Sequence, residues 1–298
     1  MKPETRFGTT IILLSAALGL FVSNSGAARA QTDNKELVTK GQYIFAIAGG
    51  CACHSPPKGT PFAGGREFPI PMAKIYSTNL TADKETGLGG WSEQQIHDAM
   101  VKGMRPNGEQ LIPAMPYESY SGMAEEDLRA LIGYLKTLKP VRTENPRPKV
   151  YISLFRPLVT PLWLKLFGRF SSPPSKAPQS GVERGRYLVE HVSVCGDCHT
   201  PRNFFMAPDR SFYLAGTKKG PFGEEIPNIT PDKETGIGEW SRNDIVELLL
   251  KGTKPDLDNV QGLMAEVIEA GYKNMKREDA LAIADYLKSI PAIKNKTK

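Results

Sequence analysis

The sequence predicts an all-α protein of two tandem helical units joined by a basic, proline-rich linker. Three observations predict it. Residues 78–92 (TNLTADKETGLGGWS) and 227–241 (PNITPDKETGIGEWS) are identical at ten of fifteen positions with a constant offset of 149, the mark of a duplicated unit. Each copy ends in an amphipathic helical pattern, LRALIGYLKTL at 128–138 and ALAIADYLKSI at 280–290, with apolar residues at helical spacing. Between these patterns the chain is rich in Gly and Pro, with few of the alternating β-branched runs that strands need.

Residues 1–30 read as an export signal. Lys2 and Arg6 precede an apolar stretch at 11–22 that is too short to span a bilayer comfortably. Ala28-Arg29-Ala30 offers a small-x-small cleavage site, with Gln31 as the mature start. The first unit follows at 31–140. Residues 35–48 read helical and lead into CACH at 51–54. Ser92, followed by Gln95, is the expected N-cap of a helix after Trp91. His97 on that helix reads as a surface or packing residue.

The linker spans 141–180. Thr160 and Pro161 read as an N-cap and first-turn proline, and Leu162, Leu166, Phe167 and Phe170 then share a face. Pro157 and Pro161 argue against a spanning helix. The segment is read as packing between the units. A sharper reading is contact with a partner or with an anionic membrane surface through residues 150–170.

The second unit, 181–298, repeats the order. Residues 181–192 read helical, CGDCH stands at 195–199, and Ser241 with Asp244 gives a second N-cap after Trp240. His191, four residues before Cys195, reads as packing. Units of about 105–120 residues with such long loops usually need a prosthetic staple.

Charge narrows the partners. The net +6 divides into +2 in residues 1–30 and +6 in residues 141–180, which leaves −2 for the two units. Slightly acidic units with a basic leader and linker offer no nucleic-acid-binding face.

CGDCH is a c-type haem attachment pattern. Cys195 and Cys198 can reach the two vinyl groups as thioethers, and His199 then falls under the iron as its proximal ligand. Zinc would need four ligands per site, and each cluster supplies at most three. A redox CxxC would not need the histidine. CACH is one residue shorter. Tyr43 lies 8 before Cys51 as Tyr187 lies 8 before Cys195, yet Tyr43 lies 11 before His54 and Tyr187 lies 12 before His199. Cys53 and His54 keep their relation, so one thioether and the proximal ligand survive. Cys51 reaches a vinyl with strain, stays a free thiol, or forms a strained bridge.

Met115 and Met264 are the expected distal ligands. Each lies 24 residues past its tryptophan, and they follow His54 and His199 by 61 and 65 residues. A lone methionine is more often core filler, but the matched spacing favours ligation. Met123 and Met275, which also align, read as packing at a helix start.

The motifs RGRYLVEHVSVCGDCHTPRN at 184–203, NITPDKETGIGEWS at 228–241, MPY at 115–117 and PLWLKLFGRF at 161–170 carry a resemblance over roughly residues 36–292. The chain resembles the di- and tri-haem class I cytochromes c that serve as electron-transfer subunits of periplasmic membrane-associated dehydrogenases, such as alcohol and gluconate dehydrogenases. The resemblance implies two tandem class I cytochrome c domains and two covalently bound c-type haems. It also implies that Trp91 and Trp240 pack by the haem propionates. The contracted first motif is one departure. The third haem domain and C-terminal membrane anchor of three-haem members have no counterpart, so direct quinone reduction and permanent anchoring are not implied.

Methionine–histidine ligation leaves no open coordination site, so such an iron passes single electrons. The expected function is a periplasmic dihaem relay rather than an enzyme. A dehydrogenase subunit would donate, and a cytochrome, an oxidase or a quinone-linked chain would accept. The alternative is a dihaem redox enzyme such as a peroxidase or sulfur-compound dehydrogenase. That alternative needs an open distal site or a cysteine ligand, and only an unattached Cys51 could supply the latter. A gas or redox sensor would want a fused signalling domain.

Overall fold

The computed structural model describes residues 31–297 except residues 57, 71–72 and 151–155. The export signal expected at 1–30, with its cleavage after Ala30, lies outside the described residues. The described chain is rich in helix and has little strand. Helix α1 runs over 31–47 and buries Ile44, Phe45 and Ile47. It stops where Gly49 and Gly50 take positive φ, a conformation that glycine adopts without a Cβ penalty.

Helix α2 (Glu93–Lys102) starts as expected. The Gln95 amide donates to Ser92 Oγ at 3.2 Å and the Ser92 amide to Gln95 Oε1 at 2.9 Å, a reciprocal capping box. A short helix α3 (Tyr117–Tyr120) and helix α4 (Glu125–Leu135) follow. Leu128, Leu131, Ile132 and Leu135 form the buried stripe of α4. Its first turn carries Glu125, Glu126 and Asp127, which complement the positive helix end.

The exception to an all-helical plan is a small antiparallel sheet. Strands β1 (Glu67–Ile70) and β2 (Ala73–Tyr76) pair Glu67 with Tyr76 and Phe68 with Ile75. Strand β3 (Lys149–Val150) adds to β2. Pro69 sits in β1, an edge strand, where its missing N–H is tolerated.

Helix α5 (Arg156–Phe167) differs from expectation. It begins a turn before Thr160, which is buried within it, and Pro161 lies inside the helix rather than at its start. Pro157 takes the first-turn place, where no N–H is needed. The bond lost at Pro161 is offset by docking, since Trp163 Nε1 donates to the Phe205 carbonyl at 2.7 Å. Among the described residues no helix is long and apolar enough to cross a membrane.

The C-terminal half repeats the order. Helix α6 (Gly181–Tyr187) continues as a π turn through Leu188–Val192. Helix α7 (Cys195–His199) carries the second cluster. Helix α8 (Arg242–Lys251) opens on the Ser241–Asp244 capping box. Helices α9 (Gly262–Ala270) and α10 (Arg277–Ser289) complete the half.

The first and last helices of each half cross closely. A methyl built on Gly41 would collide with the Ala130 carbonyl, and one on Gly185 with the Ala282 carbonyl. The core is one continuous cluster that runs through both halves, from Ile44 and Leu128 to Leu188, Val192 and Ile283.

Polar contacts cross between the halves, two of them as a matched pair. Tyr43 donates to Asp279 at 2.6 Å while accepting from the Lys276 amide. Tyr187 donates to Asp127 at 2.7 Å while accepting from the Ala124 amide. Ser193 donates to the Ile47 carbonyl and Ser119 to Asp197.

Candidate haem sites

Each cysteine cluster lies on a short helical turn entered through a left-handed residue. In the C-terminal half that residue is Val194 (φ 44, ψ 43), and α7 follows with both cysteines and His199. In the N-terminal half it is Cys51 itself (φ 50, ψ 39), and the turn is only Ala52–His54. Counting from the tyrosines pairs Cys51 with Cys195. By conformation Cys51 takes the place of Val194. The deletion therefore shortens the helical turn and puts a cysteine where backbone sterics are least favourable for a side chain.

Both histidines are held alike. His54 Nδ1 lies 2.7 Å from the Thr78 carbonyl, and His199 Nδ1 lies 2.8 Å from the Pro227 carbonyl. A carbonyl only accepts, so Nδ1 carries the hydrogen and Nε2 keeps its lone pair. Burial pushes both imidazoles below the usual histidine range, opposed by those carbonyl bonds. They are neutral at neutral pH, the form that ligates a metal. In turn, the His54 carbonyl accepts from the Gly64 amide at 3.0 Å and the His199 carbonyl from the Gly216 amide at 2.6 Å.

The repeated motif holds those acceptor carbonyls in place. Asn79 follows Thr78. Its Nδ2 donates to Thr86 Oγ1 at 3.0 Å and to the Val141 carbonyl at 2.7 Å, and its Oδ1 accepts from the Thr81 amide. Asn228 follows Pro227 and makes the same three contacts, to Thr235, the Ile293 carbonyl and the Thr230 amide. Asp83 and Asp232 each accept from the next threonine of the motif. Sequence reasoning used this motif to detect the duplication and did not assign these asparagines a role. Their invariance between the two copies was the available signal.

The thiols are not activated. Burial pushes Cys195 up to about 12 and Cys198 up to about 12. Burial also raises Cys51, and desolvation of the thiol raises Cys53, although that residue as a whole is exposed. A redox or nucleophilic dithiol needs the opposite shift. Among the described residues, no three His, Cys, Asp or Glu side chains converge as a metal-ion site. The clusters are near enough across the halves to interact electrostatically. Cys198 feels Asp197, then Cys53, and Cys53 feels Arg66, Glu266 and Asp197.

Met115 and Met264 are half-buried against the core, Met115 in the turn before α3 and Met264 within α9. Met123 and Met275 are buried in the core itself. Trp91 and Trp240 are also half-buried, and their carbonyls accept from Lys136 and Lys288 at 3.1 and 2.9 Å. His191 does not enter either cluster. Its Nδ1 bonds to the Ser119 carbonyl at 2.9 Å, and its ring packs where Gly122 leaves room. His97 lies between Asp98 and Glu125.

The donor set suits a covalently held haem. Cys53 and Cys198 directly precede His54 and His199, and each histidine presents a neutral, oriented Nε2. The comparisons with known proteins agree. No family model matches the chain. A diheme cytochrome c-type protein of Cereibacter sphaeroides is 34% identical over 309 residues, spanning 98% of this chain and 100% of its own length. The chain belongs to the dihaem c-type cytochromes. The cytochrome c subunit of the quinone alcohol dehydrogenase of Gluconobacter oxydans is 35% identical over 290 residues, 94% of this chain. The fructose dehydrogenase cytochrome subunit of Gluconobacter japonicus is 36% identical over 296 residues, 98% of this chain. The chain spans 60% of the length of each of these two subunits.

Proposed function

We propose that this dihaem cytochrome is a periplasmic electron relay and not itself a catalytic subunit. It takes single electrons from a dehydrogenase subunit and passes them to a downstream respiratory acceptor: a cytochrome, an oxidase or a quinone-linked chain. The observation that carries the reading is the pair of histidines beside cysteines, each fixed through Nδ1 to a main-chain carbonyl. The names of the related dehydrogenase subunits support the donor.

In this reading residues 31–140 and 181–298 are tandem class I cytochrome c domains, and residues 141–180 join them. Cys51, Cys53, Cys195 and Cys198 attach two haems, His54 and His199 are proximal ligands, and Met115 and Met264 are distal ligands. Haem supplies a reversible one-electron couple, and thioether ligation raises its potential. The protein's part is to orient the imidazoles, exclude water and hold the two sites close. Trp91 and Trp240 are placed beside the propionates by resemblance, and Lys136 and Lys288 fix their backbone. Half-buried Met115 and Met264, against core-buried Met123 and Met275, support the ligand choice.

The intact mass of protein matured by a haem-attachment system tests the reading. It should exceed the mature polypeptide by two haems. A gain of one would remove CACH as an attachment site, and with it the relay.

A further inference from the structure

Among the described residues, exposed large apolar side chains are concentrated in one region. Of eleven exposed large apolar residues among those described, nine lie in two segments, 158–170 and 204–212. Helix α5 brings the segments together. Its inner face docks on the loop after His199 through the Trp163–Phe205 hydrogen bond and stacking of Phe167 on Phe205 at 5.5 Å. Its outer face is apolar too. Leu158, Leu162 and Leu166 recur at four-residue spacing and are 73%, 57% and 65% exposed. Phe204, at the tip of the docked loop, is 94% exposed and sits edge-on to Phe205.

The charge around this ridge is net positive. Residues 156–170 contain Arg156, Lys165 and Arg169 and no carboxylate. The docked loop adds Arg202 and Arg210 against Asp209. Glu118 and Asp197 are the other carboxylates nearby. Glu118 accepts from the Arg169 amide and lies among Arg169, Arg202 and Arg210, while Asp197 pairs with Arg202 at 3.6 Å.

We infer that this ridge seats the cytochrome on an anionic lipid surface, with α5 lying in the plane of the interface. A helix apolar on both faces is buried or meets lipid, and here one face is covered by the protein. Projecting leucines and a phenylalanine tip suit a fluid interface, which conforms to them without a matching cavity. Lysine and arginine beside leucine and aromatic residues are the composition of in-plane helices. The docked loop begins at the residue after His199, and Arg202 donates to the Asp197 carbonyl, so seating the ridge brings the second cluster to the membrane side. The inference goes beyond the electron-relay reading and does not depend on it, because lipid binding and haem content are read separately.

The test is co-sedimentation of the full-length holoprotein, haem absorbance monitored, with phosphatidylglycerol–phosphatidylcholine vesicles and with pure phosphatidylcholine vesicles. Binding to the anionic vesicles, weakened by salt, is expected. Leu158→Ser with Leu162→Ser and Leu166→Ser should lower partitioning at least about 10-fold. Lys165→Gln with Arg169→Gln should lower it about 30-fold, at about 1 kcal/mol per cation. Should the triple variant misfold, Phe204→Ser on the exposed loop tip gives the same reading with a smaller loss. Wild-type binding no stronger to anionic than to neutral vesicles overturns the inference. So does a folded ridge variant that binds vesicles like wild type. If such a variant instead loses electron uptake from a dehydrogenase, the ridge is a protein interface.

Discussion

Cys51 and Cys53 differ in what their backbones allow. Cys53 directly precedes His54, as Cys198 precedes His199, so the first cluster keeps the cysteine–histidine adjacency of the second. Cys51 has φ 50, a left-handed conformation that a residue with a Cβ holds only at some cost, and its turn is shorter than α7. Cys53→Ala should therefore lose the first haem, whereas Cys51→Ala should leave it bound through one thioether. A pyridine haemochrome spectrum with intact mass separates these states. Equal haem loss in both variants would make Cys51 an obligatory attachment point. The spacing of the cysteines and the one-residue deletion were legible in the sequence. The conformational consequence was not, because counting residues says nothing about which one takes the left-handed position. The roles of Asn79 and Asn228 were hidden for a related reason. They act on main-chain carbonyls next to themselves, and a carbonyl has no side-chain signature.

At the scale of elements, the crossing of α6 over α10 depends on Gly185. The Ala282 carbonyl occupies the space a methyl would need, and the Tyr286 Cβ lies 2.8 Å from that position. Neither helix can shift without disturbing Leu188 and Ile283 in the core. Gly185→Ala should lower stability by about 3 kcal/mol, the upper range for overpacking a tight core. Gly133→Ala is the control. It also lies within a helix, but its nearest neighbour would be Leu37 at 3.4 Å, so it should gain about 0.5–1 kcal/mol from lost chain flexibility. Urea denaturation followed by far-UV circular dichroism reads both. A Gly185 variant as stable as wild type would mean that the crossing tolerates a methyl group. Helices α2, α4, α8 and α10 were legible because periodicity and capping residues are local. The β1–β2–β3 sheet was not, since its strands are four, four and two residues long and pair through main-chain groups. Helix α5 started earlier than expected because two prolines four apart compete for one first-turn place, and tertiary docking through Trp163 decided between them.

The molecule as a whole is held by contacts that no local pattern announces. Tyr43 and Asp279 are 236 residues apart, and Tyr187 and Asp127 are 60 apart. Yet they are the same contact made in both directions, at corresponding positions of the duplicated sequence. Each tyrosine docks on the first turn of the opposite half's last helix, donating to its aspartate and accepting an amide. Such reciprocity is what a two-fold interface between like units produces. Lys40 reaches Asp127 at 2.8 Å and Arg184 reaches Asp279 at 2.8 Å, so each aspartate also ties its own half together. Replacing either tyrosine by phenylalanine removes a donor from a buried carboxylate and leaves an amide unpaired. Each change should cost about 1.5–3 kcal/mol, the range for hydrogen bonds to charged groups. Because the core runs through both halves without a break, wild-type protein should unfold in urea as one transition, with haem absorbance and far-UV circular dichroism coincident. Tyr43→Phe with Tyr187→Phe should lower the midpoint and separate the two probes, as the halves lose their mutual support. Two separate transitions in the wild type would show that the halves fold independently. An unchanged midpoint in the double variant would show that the tyrosines are incidental, and the coupling would then rest on the shared apolar core alone.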